Sequence, residues 1–204
     1  MNILHIDSSI LGEQSVSRQL SAAVVARLRA EQRDARVSYR DLARDPTPQF
    51  SAALASASAV PLEQRSPELQ RDAATLAAVL DEVLSADVIV IGAPMYNFGL
   101  PSQLKAWLDA LAVPGKTFQY DAQGPKGLLG AKRLIVASAR GGFYGADTPL
   151  ASLDHQETHL RGFFGFLGVT RLEIVRAEGL KVSPELKERG LAAGLAQVAE
   201  LELA

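Results

Sequence analysis

The stretch from Asp87 to Pro101 constrains the chain more than any other. Val88-Ile89-Val90-Ile91 is a β-branched apolar run with no polar alternation. That is the pattern of a strand buried on both faces, and such strands belong to parallel sheets covered by helices on each side. Pro94 cannot donate to a ladder, and Gly99 and Pro101 punctuate a turn. Beyond the turn Leu100, Leu104, Trp107, Leu108 and Leu111 recur at helical spacing, with Lys105 and Asp109 interleaved. Strand, polar-aromatic loop and helix thus follow one another directly. Open α/β sheets bind ligands in the crevice outside the carboxyl ends of their strands, which is where Met95 to Phe98 fall.

The rest of the chain repeats the alternation. Ile3 to Ile6 reads as a first buried strand, and Leu20, Val24 and Leu28 as a helix running to about Arg33 with Ser15 or Ser17 at its N-cap. Arg36 to Arg40 alternates polar and apolar residues, as a strand at or near a sheet edge does. Phe50 to Gln70 is a short helix or irregular, and Leu69 to Val83 is helical. Pro114 to Gly130 reads as a long loop carrying Phe118 and Tyr120. A fourth strand covers Arg133 to Ser138, a helix about Leu150 to Leu167 closed by Gly168, a fifth strand Val169 to Val175, and a last helix Glu185 to Leu203. One doubly wound α/β domain over residues 1–204 is expected, with no repeat.

Three loops at strand ends carry chemistry. The first holds Ser8, Ser9, Ser15 and Ser17 ahead of a helix, where free N–H groups and hydroxyls favour an anion. Arg18 is its only nearby cation, and neither the P-loop nor the G-x-G-x-x-G pattern is present. Met95-Tyr96-Asn97-Phe98 offers two aromatics, a thioether and an amide, a set suited to a planar heteroaromatic ligand. Arg140-Gly141-Gly142 ends the next strand, and its glycines let backbone approach a flat ligand. Each has a plainer reading as a cap, a packed loop or a turn; together they point to a flat, phosphorylated ligand.

Other chemistries lack their residues. His155 and His159 are one helical turn apart but Glu157 is misplaced for H-E-x-x-H, so a solvated helix face is read there and no metal is assigned. No G-x-S-x-G occurs. Zero cysteines exclude disulfides, catalytic thiolates and thiolate-held metals. A net charge of −2 argues against nucleic acid or an anionic membrane as partner. The N-terminus lacks a basic leader, and no apolar run approaches the roughly 20 residues of a membrane span, so a cytoplasmic protein is expected.

Ala93-Pro94-Met95-Tyr96-Asn97-Phe98, followed by Gly99-Leu100-Pro101-Ser102-Gln103-Leu104-Lys105, resembles the signature of FMN-dependent NADH azoreductases in the flavodoxin-like NAD(P)H:quinone oxidoreductase family. Asp7-Ser8-Ser9, Ser15-Val16-Ser17, Thr117-Phe118-Gln119-Tyr120, Gly124-Pro125-Lys126-Gly127-Leu128, Arg140-Gly141-Gly142 and Ala177-Glu178-Gly179 extend the likeness over nearly the whole chain. The resemblance implies a flavodoxin-like fold with five parallel strands in the order 2-1-3-4-5. It also implies a homodimer, noncovalent FMN, NADH or NADPH as electron donor, and ping-pong reduction of quinones and azo compounds. By the same resemblance Ser9, Ser15, Val16 and Ser17 hold the FMN phosphate. Met95, Tyr96, Asn97, Phe98, Ala139, Arg140, Gly141 and Gly142 contact the ribityl chain and ring. Tyr120 and Phe163 line the partner subunit's substrate pocket. The family often has a glutamine where Val16 stands and a serine where Ala139 stands. No side chain is required as nucleophile, and Asn97 is a candidate tuner of the flavin. The alternative is a flavodoxin-like FMN electron-transfer module without NAD(P)H turnover, and a third reading is a nucleotide-binding regulatory domain.

Overall fold

A computed structural model describes residues 1–202. The apolar runs become the centre of a sheet. Strands β1 (Asn2–Asp7), β2 (Arg36–Asp41), β3 (Val88–Pro94), β6 (Arg133–Ala139) and β7 (Arg171–Ala177) are parallel, in the order β2-β1-β3-β6-β7. The expected order 2-1-3-4-5 is corrected in its numbering. Two further strands, β4 (Phe118–Asp121) and β5 (Gly124–Gly127), form an antiparallel hairpin outside the main sheet, within the segment read as a loop.

Successive side chains of a strand point to opposite faces, so each apolar run feeds two cores. Leu4, Ile6, Ile89, Ile91, Leu134 and Val136 pack on one face. There they meet α3 (Pro67–Ser85), α4 (Ser102–Asp109) and α5 (Glu157–Phe166) through Val79, Val83, Trp107 and Phe164. Ile3, Val88, Val90, Ile135 and Val175 pack on the other, under α1 (Val16–Glu31) and α6 (Pro184–Glu200). All residues of β3 and β6 are buried, whereas β2 lies at the sheet edge with exposed side chains. No helix among the described residues is long and apolar enough to cross a membrane.

Boundaries differ from expectation where caps decide them. The irregular stretch after Phe50 contains the one-turn helix α2 (Ala52–Ala55), and α3 starts at Pro67 with Ser66 Oγ accepting the Leu69 amide. The helix expected from Leu150 begins only at Glu157. Asp154 Oδ1 accepts the amides of Gln156 and Glu157, at 3.2 and 3.0 Å, and halts the chain there. The final helix ends at Glu200; the expected end at Leu203 lies outside the described residues.

The hairpin is seated on the end of α5 through glycines. A Cβ on Gly127 would fall 2.1 Å from the Gly168 amide nitrogen, and Gly168 itself has φ 92°, which favours glycine. The Leu129 amide donates to the Leu167 carbonyl at 2.8 Å beside this contact.

Candidate functional site

Because the strands are parallel, the loops after β1, β3 and β6 gather at one edge of the sheet. In the first, Ser15 caps α1, its Oγ accepting the Arg18 amide at 3.3 Å, and Ser17 Oγ lies 3.0 Å from Ser15 Oγ. The Gln19 amide donates to the Ser15 carbonyl. The amides of Val16 and Ser17 remain as the open donors of the first turn. Arg18, the one cation that the sequence offered here, is engaged elsewhere. Its guanidinium donates to both Asp41 oxygens, at 2.7 and 2.6 Å, and to the Ser9 carbonyl at 2.8 Å.

Beneath this loop is a polar cluster, buried at His5, Asp7 and Ser21 and open to solvent at Tyr39. Tyr39 Oη and Ser21 Oγ donate to Asp7 at 3.1 and 2.8 Å, and His5 Nε2 lies 2.9 Å from Ser21 Oγ. Burial and the Asp7 carboxylate push the Tyr39 phenol up to about 12. The hydrogen bond from Arg18, against a smaller opposing effect of burial, holds Asp41 below the usual carboxylate range.

After β3 the chain reverses in a two-residue turn. Tyr96 and Gly99 exchange backbone hydrogen bonds of 3.0 Å, and Asn97 and Phe98 between them have φ of 48° and 70°. Asparagine tolerates this left-handed region; phenylalanine is strained in it. The Tyr96 hydroxyl accepts the Ile10 amide, and the Met95 amide donates to the Ala139 carbonyl at 2.8 Å. The turn is thereby tied to both neighbouring loops.

After β6 the Arg140 backbone faces the site while its side chain turns inward and is only 1% exposed. The guanidinium meets Asp154 at 2.8 Å, Glu178 at 3.3 Å and Glu157. Its Nε donates to Ser138 Oγ at 3.1 Å. Burial pushes Glu157 up, but the hydrogen bonds from Arg176 and the charge of Arg140 outweigh this, and the carboxyl is held below its ordinary range. The carbonyls of Gly141 and Gly142 accept from Lys181 and Gly179, and their own amides donate to no backbone carbonyl among the described residues.

A cavity of about 230 Å³ joins the three loops. Of the residues expected from the sequence, Ser9, Ser15, Val16 and Ser17 line its α1 end, Met95 and Tyr96 a side wall, and Ala139, Arg140 and Gly141 the far wall. Asn97, Phe98 and Gly142 are the next residues along the same loops and do not line it. Tyr120 stands apart on the β4–β5 hairpin, 71% exposed, with its ring 5.6 Å from Phe118. Phe163 is also outside the cavity, on α5 against Phe164 and stacked with His159. No metal-holding group of His, Asp and Glu occurs among the described residues. Sequence reading missed Leu11, Gln14, Pro94, Leu180, Lys181 and Lys187, which also line the cavity. Gln14 shares the first loop, and Lys181 follows the Ala177-Glu178-Gly179 motif by two residues. Lys187, on the first turn of α6, had no local signal.

Comparisons with known proteins agree with this architecture. A family model described as flavodoxin-like fold matches residues 1–201. A protein of Bradyrhizobium diazoefficiens named FMN-dependent NADH:quinone oxidoreductase 2 is 54% identical over the full length of both chains. One of Sinorhizobium fredii, named FMN-dependent NADH:quinone oxidoreductase, is 52% identical over 98% of this chain and 96% of its own. A solved azoreductase of Bacillus anthracis superposes with a TM-score of 0.86 at 29% identity, covering 98% of this chain and 97% of that one. With five parallel strands, helices on both faces and a cavity across the strand ends, the chain belongs to the flavodoxin-like fold family.

Proposed function

We propose that this protein is an FMN-dependent NADH oxidoreductase that reduces quinones by two electrons and azo compounds to amines. It works by a ping-pong sequence, as a homodimer. The observation that carries this reading is the single cavity joining a capped helix N-terminus to a thioether–aromatic wall and a glycine backbone. The chemistry of that donor set fits FMN. The Val16 and Ser17 amides with the Ser9, Ser15 and Ser17 hydroxyls suit a phosphate, Met95 and Tyr96 suit a flat ring, and Gly141 puts no side chain between backbone and ligand. The 54% identity to a named FMN-dependent NADH:quinone oxidoreductase supports the same choice.

FMN, when held by these residues, would supply the redox chemistry, hydride uptake from the nicotinamide and two-electron delivery to the oxidant. The chain's part is to hold and orient. The Gly141 amide at the cavity wall, with Asn97 and Gly142 next along the same loops, would be the donors toward the ligand's ring. The buried Arg140 cluster fixes the Gly141 backbone from behind. Tyr120 and Phe163, outside this chain's cavity, serve the partner subunit's pocket. A quinone takes one round of two electrons, with NADH and a proton consumed and NAD+ and hydroquinone released; an azo bond takes two rounds to give two amines.

The test is anaerobic mixing of FMN-loaded protein with NADH, followed by flavin absorbance. Rapid bleaching that benzoquinone reverses supports the oxidoreductase. Bound FMN that NADH leaves oxidised would sink it in favour of an electron-transfer module.

A further inference from the structure

The cavity has an electrostatic asymmetry that its loops do not explain. No aspartate or glutamate lines it, and its α1 end holds no free cation, because Arg18 is paired with Asp41. Two lysines also line it, Lys181 and Lys187, and neither makes an ion pair or side-chain hydrogen bond among the described residues. Their placement is not neutral. Lys187 lies in the first turn of α6, where the helix macrodipole disfavours a cation. Lys181 is held close, its amide donating to the Gly141 carbonyl at 2.9 Å and its stem at 3.3–3.4 Å from where a Gly141 Cβ would stand.

Helices α1 and α6 cover the same face of the sheet and touch. Gly194 gives room to Leu20, whose Cδ2 would be 2.9 Å from a Cβ at position 194. Both helices follow parallel strands, so their N-termini open on the same edge. Neighbouring helix axes are about 8–10 Å apart. Lys187 on the first turn of α6 and Ser15, Val16 and Ser17 at the start of α1 accordingly line one cavity.

We propose that Lys181 and Lys187 supply the positive charge for the phosphate of FMN, which the serine loop itself lacks. This rests on the function proposed above and assigns this chain's phosphate site two residues from outside the serine loop. Lys187 is then kept at a helix terminus that disfavours it because the ligand requires it there.

The experiment titrates apoprotein with FMN and with riboflavin, which has no phosphate, following flavin fluorescence for wild type and Lys181→Gln/Lys187→Gln. It is run at about 0.01 M and about 1 M salt, where the screening length is about 30 Å and about 3 Å. The double variant is expected to bind FMN on the order of tenfold more weakly at low salt, a loss that fades at high salt. Riboflavin affinity is expected to stay the same. Thermal unfolding of apo Lys187→Gln is expected to be no lower than wild type, while its shift on adding FMN shrinks. Unchanged FMN affinity, an equal loss for riboflavin, or a destabilised apo Lys187→Gln each overturns the proposal while leaving the oxidoreductase reading standing. Wild-type protein that takes up neither flavin overturns both.

Discussion

The phenol oxygen of Tyr96 accepts the backbone amide of Ile10 at 3.1 Å and lies 3.4 Å from Ser9 Oγ, so one hydroxyl links the loops after β1 and β3. Ile10 is exposed, and water replaces the lost partner in the apoprotein when Tyr96 becomes Phe. Tyr96→Phe should leave urea unfolding of the apoprotein within about 0.5 kcal/mol of wild type. It should weaken FMN by about 1 kcal/mol, or roughly fivefold, because the two loops no longer hold their spacing. Calorimetric titration of both forms checks this.

Asn97 occupies a left-handed position that alanine adopts poorly. Asn97→Ala should lower stability by about 1 kcal/mol and slow flavin bleaching by NADH more than it weakens FMN retention. Asn97→Gly should recover the stability and not the rate. Recovery of both would reduce Asn97 to a turn residue.

The guanidinium of Arg140 is the common partner of three carboxylates. Arg140→Met leaves Asp154 and Glu178 without their cation, while Glu157 keeps Arg176, and should cost about 3 kcal/mol in denaturant unfolding. Asp154→Asn in the same background removes the charge that Arg140 met while keeping the Oδ1 that caps α5, and should restore part of that loss, a coupling that a double-mutant cycle reads directly.

The pH dependence follows from two depressed acids. Asp41 and Glu157 are held below their ordinary values by Arg18 and by Arg176 with Arg140. A carboxyl with a lowered folded value binds its proton more readily in the unfolded chain. The stability it contributes is full above the unfolded value, about 4, and is lost as pH falls through the folded one. Thermal midpoints should be level down to about pH 5 and then drop. Asp41→Asn should lower the plateau and flatten the drop; an unchanged acid limb would refute this origin for it.

Tyr120 touches no part of this chain's cavity. Tyr120→Ala should leave FMN affinity and apo stability within about 0.5 kcal/mol of wild type. If it serves a partner subunit, KM for a quinone should rise while flavin reduction in single turnover changes less. Sedimentation of wild type and variant tests the dimer independently.

The centre of the fold was legible because residues buried on both faces leave continuous apolar runs, as at Val88–Ile91 and Leu134–Val136. Strand β5, Gly-Pro-Lys-Gly, carries no β-branched residue, and its pairing with β4 comes from the turn between them, so the motif at Gly124 to Leu128 showed no strand pattern. Leu150 to Leu153 continued an apolar spacing, and only the capping by Asp154 moved the helix start. At the site, local motifs gave the serine loop and the Met95–Tyr96 wall. Arg140 was legible as a position but not in its direction, since its acidic partners come from α5 and from Asp154 and Glu178. Lys187 is near the cavity only because β7 and α6 pack beside β6 and α1. No spacing along the chain encodes that.

The Gly127–Gly168 contact has a mechanical meaning. Backbone meets backbone there with no side chain to rotate or compress, so the arm bearing Tyr120 is mounted on α5 as a bracket on a post. Main-chain geometry at this contact sets its angle, with Phe118 packed on Phe166 at 4.8 Å beside it. A methyl group added at residue 127 would act as a wedge at the bracket's base, and the displacement would grow along the arm toward its aromatic tip.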